Sequence, residues 1–149
     1  THCESSAASD VYKRQLAISA EAVGIMQKMN ELTLDYTKTR EQFGQALSKF
    51  QALQHRMVDT FMVHEQTKSL LLMAAAKMND KAADTSKSIS ALKYQIGSAA
   101  KLIGEESIQL HGGMGVTEEM SIGHYFKRLT TIRTIFGNSD YHLKRYSSL

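Results

Sequence analysis

At 149 residues, 42% of them hydrophobic, the chain can bury one ordinary core but leaves little room for a second, so one domain is expected. A formal net charge of +3, with acids following bases closely in stretches such as Lys38 to Glu41 and Lys77 to Lys81, excludes a nucleic-acid-binding stripe. No run of about eighteen apolar residues is present to cross a bilayer, and the single cysteine, Cys3, cannot close an internal disulfide, so a reducing cytoplasm is the expected setting.

Proline is absent and glycines number nine, so long helices are the default reading. Residues 1–15 are expected to form a disordered or non-native leader: Thr1 to Asp10 is rich in Ser and Ala, and SDVYKRQ at Ser9 to Gln15 resembles translated adapter sequence. Together with the lack of an initiator methionine, this suggests a piece of a longer protein. From residue 16 to residue 149 one helical domain is expected. Leu16, Ala20, Val23, Met26 or Gln27, Asn30 and Leu34 recur at helical steps, with Ile18, Ile25, Met29 and Leu32 widening the stripe, and predict a first helix to about Thr39. The segment REQFG, Arg40 to Gly44, supplies its stop.

Ser48 is the expected cap of a second helix whose buried side carries Phe50, Leu53, Met57, Phe61, Leu70 to Met73 and Met78. Asp84, Thr85 and Ser86 are candidate caps of a third, with Ile89, Leu92, Ile96, Ala99, Ala100, Ile103 and Ile108 inward, ending at His111 before the glycines of HGGMG. A fourth helix over about Glu118 to Ile135 and a short fifth piece over Asp140 to Tyr146 complete an all-α chain. Short connections between long helices predict an antiparallel four-helix bundle with an extra carboxy-terminal helix.

In such a bundle the end of the first helix and the end of the third lie together. REQFG, with Phe50 and Gln51 just beyond it, therefore shares one surface with QLHGGMG at Gln109 to Gly115, about seventy residues later. Arginine offers a fixed fork of donors to a phosphate, glycines let backbone approach it, and glutamine can bond a base or ribose. An alternative makes Arg40 a helix-end cation, Phe43 a core anchor and the glycines a helix stop, and spacing alone favours that plainer reading. The histidines at 55, 64, 111, 124 and 142 show no tight ligand spacing, so no metal is proposed. The eight methionines are scattered over apolar faces in the manner of gap-filling core.

The order R-x-x-F-G, then F-Q, then Q-x-H-G-G-x-G resembles the carboxy-terminal domain of acyl-CoA dehydrogenases, over Leu16 to about Arg145. The resemblance implies an FAD-dependent dehydrogenation of an acyl-CoA thioester by a homo- or hetero-oligomer. It also implies contacts from Arg40, Gln42, Phe43, Phe50, Gln51, Gln109, Gly112 and Gly113 to the adenine-diphosphate part of FAD held by a neighbouring subunit. Asn138 stands where the family has a threonine near FAD.

The family's catalytic glutamate is replaced by Phe136, which has no proton-accepting group, and the alternative position on the first helix falls on Arg14, which stays protonated. The family's usual Arg-Asp pair is Lys127 and Arg128 here. The ending IFGNSDYHLKR is similar to the F-G-x-x-x-x-H-L tail of a subgroup acting on dicarboxylic or steroid side-chain thioesters, often as mixed complexes. A non-catalytic oligomerisation subunit that lacks the base is therefore the alternative function, and in either case the chain alone is expected to be inactive.

Overall fold

The computed structural model describes residues 2–149, with side chains from Ser9 onward, so the Cys3 thiol lies outside the described residues. Five helices carry the chain: α1 (His2–Thr39), α2 (Gln51–Asn79), α3 (Thr85–His111), α4 (Ser121–Ile132) and α5 (Ser139–Ser148). Helix α1 begins at His2 rather than near Leu16, because nothing in the Ser- and Ala-rich start breaks a helix. Residues just before 16 also pack: Gln15 is buried, and Arg145 Nη2 donates to the Tyr12 hydroxyl at 2.7 Å, tying α5 to α1.

The bundle is built around α3, which packs against each of the other four helices. Ile89, Leu92, Ile96, Ala99, Ala100 and Ile103 are all buried there, as the periodicity predicted. On α1 the buried apolar stripe is Ala22, Val23, Met26 and Met29, extended by Ser19, Thr33 and Thr37, while Ala20 and Leu34 are exposed. The stripe is thus rotated from the one apolarity alone marks. The hydroxyls make this tolerable, since Ser19 Oγ donates to the Gln15 carbonyl and Thr33 Oγ1 to the Met29 carbonyl, both at 2.7 Å.

Helix α2 departs further from expectation. Its inner face carries Thr60, His64, Thr67 and Ala74, whereas Phe61, Leu72 and Met73 are exposed together with Val58 and Met62. Val63, Leu70 and Leu71 pack against the domain's own core, so α2 presents one apolar face inward and a second outward.

Ends of helices differ as well. Ser48 lies in a 3-10 turn, Leu47–Lys49, and Phe50 occupies the cap position of α2 without a side-chain bond. Asp84 sits at the start of α3 but its carboxylate is drawn to Lys77 instead of the helix amides. Helix α4 is shorter than expected because Gly112–Val116 forms a 3-10 turn and Thr117 is extended, delaying helix onset to Ser121. Arg128, from the place of the family's ion pair, reaches α1 and holds Glu21 with two bonds of 2.6 and 2.9 Å. That bidentate contact keeps the Glu21 carboxyl below the usual carboxylate range.

Candidate functional site

The end of α1 turns back through a two-residue hairpin, strands β1 (Glu41–Gln42) and β2 (Gln45–Ala46), with Glu41 opposite Ala46 and Gln42 opposite Gln45. Phe43 and Gly44 form its tip at φ 55° and 79°, the left-handed pair that a tight hairpin turn requires. Glycine adopts this freely, but a phenylalanine there costs about 1–2 kcal/mol. Its ring recovers little of that by burial, being 90% exposed with only an edge contact to Phe50 at 6.2 Å. Phe43 is therefore no core anchor, and the turn holds it outward.

The end of α3 meets this hairpin through a stack of His111 on Tyr36, with ring centroids 4.4 Å apart. His111 is buried, and its Nδ1 lies 2.7 Å from the Ser107 carbonyl, so that nitrogen carries the proton. Burial pushes the pKa of His111 below the ordinary histidine value, keeping the ring neutral. Gly112 then takes φ 59° and ψ −140°, which a side chain would forbid, and turns the backbone out of the helix. No atom lies within 4 Å of where a Cβ would project at Gly112 or Gly113, so both present bare backbone to open space. Gly115 is different: a Cβ there would meet the Ile108 carbonyl at 2.7 Å, so it serves close packing of the turn on α3.

Between the two segments lies a cleft of about 500 Å³ whose lining includes Arg40, Gln42, Gln109, Gly112 and Gly113. Five of the sequence-selected residues thus converge on one surface. Arg40 is exposed, and among the described residues its guanidinium has no hydrogen bond or ion pair, so its donors face solvent. Phe43, Phe50 and Gln51 stand beside the cleft without lining it, with Gln51 exposed on the first turn of α2. The cleft also takes in Tyr36, His111 and Arg56, which the sequence reading did not select. Their signal was helical spacing: Arg56 is one turn beyond Leu53, and Tyr36 one turn before Arg40.

Asn138 lies elsewhere. Its side-chain oxygen accepts from the Tyr141 amide at 2.9 Å, capping α5. The neighbouring Phe136, at φ 61°, is fixed from below: Gln15 Nε2 at 3.4 Å and His142 Nε2 at 2.9 Å both donate to its carbonyl. Gln15 sits twenty-five residues before Arg40, roughly 37 Å along a helix. Asn138 and Arg40 are therefore at opposite ends of the bundle.

Two more buried groups complete that end. Lys93 on α3 donates through Nζ to the Ile135 carbonyl at 2.8 Å and to the Ile132 carbonyl at 3.4 Å, and burial lowers its pKa. His142 is fully buried, and burial, with Lys93 and Arg145 nearby, holds its pKa below the ordinary value despite its bond to Phe136. The two positions considered for a base come together here, since Gln15 touches Phe136 and Arg14 is the next residue along, but neither Phe136 nor exposed Arg14 can accept a proton. Among the described residues no cluster of three or more His, Cys, Asp or Glu is arranged to hold a metal, and no helix is long and apolar enough to cross a membrane.

The helical fold that carries the cleft is found in known proteins. Residues 7–147 match the family model described as acyl-CoA dehydrogenase, C-terminal domain. The acyl-CoA dehydrogenase IpdE2 of Mycolicibacterium smegmatis is 34% identical over 131 residues, covering 87% of this chain and 40% of that protein. Among solved structures, a steroid ACAD variant named Tcur3481-Tcur3483 superposes with a TM-score of 0.87 at 29% identity over 90% of this chain and 37% of that one. PigA, solved with FAD and proline, superposes with a TM-score of 0.86 at 28% identity over 93% of this chain and 36% of that one.

The chain belongs to the acyl-CoA dehydrogenase family and corresponds to its carboxy-terminal helical domain. It spans about 40% of the length of the curated relative it matches first.

Proposed function

We propose that this chain is the part of an FAD-dependent acyl-CoA dehydrogenase that grips the adenine-diphosphate half of a flavin carried by a neighbouring subunit. The observation that carries this reading is the meeting of Arg40, Gln42, Gln109, Gly112 and Gly113 in one cleft. The donor set suits a diphosphate: a free guanidinium for its charge, bare backbone for close approach, and amide side chains for ribose or base. Exposed Phe43 extends the surface toward a second molecule, which a contact across a subunit boundary requires.

When bound, FAD supplies hydride acceptance during α,β-dehydrogenation of an acyl-CoA thioester. The residues described here bind and orient; Phe43 and Phe50 add apolar cover that keeps water from the nucleotide. Asn138, with its oxygen engaged at the α5 cap, keeps its amide N–H donors for a flavin contact at the other end of the bundle.

The outward apolar face of α2 supports an oligomer. Leu34, Val58 and Phe61 border an apolar groove of about 690 Å³ between α1 and α2, and Met62, Leu72 and Met73 continue the exposed stripe. Soluble monomers rarely leave such a surface open. Substrate chemistry in the intact enzyme then needs an acyl-CoA pocket and a base from outside the positions read here.

The lack of a proton acceptor at Phe136 and Arg14 favours a second reading, a non-catalytic subunit of a heteromeric dehydrogenase. The Tcur3481-Tcur3483 relative, whose name joins two components, is consistent with that arrangement. In both readings this chain by itself is inactive.

The test uses the intact gene product purified with its partner subunits. Arg40→Ala is expected to weaken FAD binding by roughly 10- to 100-fold, the loss of a hydrogen bond to a charged group. Unaltered affinity would refute the phosphate contact. Dye reduction with a panel of acyl-CoA thioesters then separates the readings: turnover supports the complete enzyme, and flavin without turnover supports the base-free subunit.

A further inference from the structure

Arg56 is the one charged residue of the cleft besides Arg40, and neither the sequence motifs nor the family contacts carried over above include it. It projects from α2 one turn beyond Leu53, which also lines the cleft. Behind the cleft lining it meets Glu106 of α3, Nε to Oε2 at 2.5 Å. Glu106 is itself one turn before Gln109, so the ion pair lies directly beneath the glutamine that faces the cleft. Its side chain is 24% exposed and that of Arg56 38% exposed, so the pair sits at the cleft wall and not in open solvent.

The geometry of the pair is informative. A guanidinium has five N–H donors, one on Nε and four on the terminal nitrogens. The carboxylate uses Nε alone, and among the described residues no acceptor meets the terminal nitrogens. An arginine whose only task was to staple α2 to α3 would present two of its donors to the carboxylate, as Arg128 does in binding Glu21 through Nε and Nη2. In Arg56 the single Nε bond instead anchors the guanidinium and leaves its four terminal N–H donors unused at the cleft. Glu106 also cancels its charge, so Arg56 contributes oriented donors while Arg40 supplies the net positive charge.

We propose that Arg56, anchored through Nε by Glu106, is a further nucleotide contact whose terminal nitrogens donate to a phosphate oxygen of the adenosine-diphosphate half of FAD. The inference rests on reading the cleft as the diphosphate site. It makes Glu106 a positioning residue that acts through Arg56 and touches no ligand.

The experiment titrates FAD, and separately ADP as a competitor, into flavin-stripped intact protein with its partner subunits. The variants are Arg56→Met, Arg56→Lys, Glu106→Gln and Arg40→Ala, and the thermal midpoint of each flavin-free form is recorded alongside. Arg56→Met is expected to weaken both FAD and ADP by at least about tenfold, the scale of one lost charge-assisted hydrogen bond. Arg56→Lys, which keeps charge without the fork, should recover only part of that affinity, and Glu106→Gln should have a smaller effect in the same direction.

If Arg40→Ala weakens binding while Arg56→Met and Arg56→Lys lower only the flavin-free midpoint, the pair is a structural staple and the inference fails with the cleft reading intact. If Arg40→Ala and Arg56→Met both leave FAD and ADP affinity unchanged, the cleft reading itself fails. Should Arg56→Met not fold, Arg56→Lys decides: affinity equal to the unaltered protein overturns the proposal.

Discussion

At the Arg40 end of the bundle polar side chains face outward, while at the Phe136 end comparable side chains are turned inward onto backbone. Arg40 has no partner among the described residues and Phe43 is held in a left-handed conformation with its ring in solvent. Gln15, Lys93 and His142, by contrast, are buried and spend their donors on the carbonyls of Ile132, Ile135 and Phe136. One end thus leaves its donors to another molecule, whereas at the other the donors of Gln15, Lys93 and His142 are taken up by backbone, with only Gln15 Oε1 and His142 Nδ1 buried there without a partner. Polarity alone does not mark a binding site; what marks it is polarity or strain that the chain itself leaves unused.

This contrast predicts opposite responses to mutation in the intact protein. The largest effect is expected at the internal end. Lys93→Ala leaves two buried carbonyls without their donor and should lower stability by about 2–4 kcal/mol, read from chemical denaturation. A loss below about 0.5 kcal/mol would mean that the buried ammonium does not hold the α4 end.

At the open end the sign reverses. Phe43→Gly removes left-handed strain and exposed ring together, so stability should stay level or rise by up to about 1 kcal/mol. FAD affinity should nevertheless fall. A destabilised variant with unchanged flavin affinity would show Phe43 to be a structural residue after all.

The smallest effect concerns pH. His111 and His142 have pKa values pushed below the ordinary 6.5 by burial, so the unfolded chain takes up protons first as pH falls. The contribution of these two histidines to stability is therefore flat above about pH 6.5 and declines below it, through the window between the unfolded and folded values. His142→Gln keeps an amide donor for the Phe136 carbonyl without a titrating ring. The decline in thermal midpoint between about pH 6.5 and 5 should become shallower in that variant, and an unchanged slope would remove His142 from the explanation.

Much of the fold was legible because α3 follows the simplest rule: Ile89, Leu92, Ile96, Ala99, Ala100 and Ile103 recur at helical spacing and turn inward. Helix α2 follows expectation in part, with Leu70 and Leu71 packed on the core and Phe61, Leu72 and Met73 outside, since periodicity reports which residues share a face but not whether that face meets the chain's own core or another molecule. Phe61 and Leu72 are on an apolar face, and that face is outside. The start of α1 was set too late because apolarity fades before Leu16 although helix propensity does not.

At the site, the meeting of Arg40 with Gln109 and the glycines followed from antiparallel topology. The outward pose of Phe43 did not, because it depends on a turn conformation unusual for phenylalanine. Arg56 was invisible for another reason: its partner Glu106 is fifty residues away and only the packing of α2 on α3 brings them together. Asn138 was matched by position, and its cap bond to the Tyr141 amide emerges only from the break between α4 and α5.

The most direct test of the central claim is amide hydrogen exchange on the intact protein, compared with and without FAD. Protection by flavin is expected at the hairpin, residues 40–46, and at the glycine turn, residues 109–116, because both line or flank the proposed diphosphate cleft. If exchange in both segments were indifferent to flavin while the protein still bound it, the cleft would not be the nucleotide site.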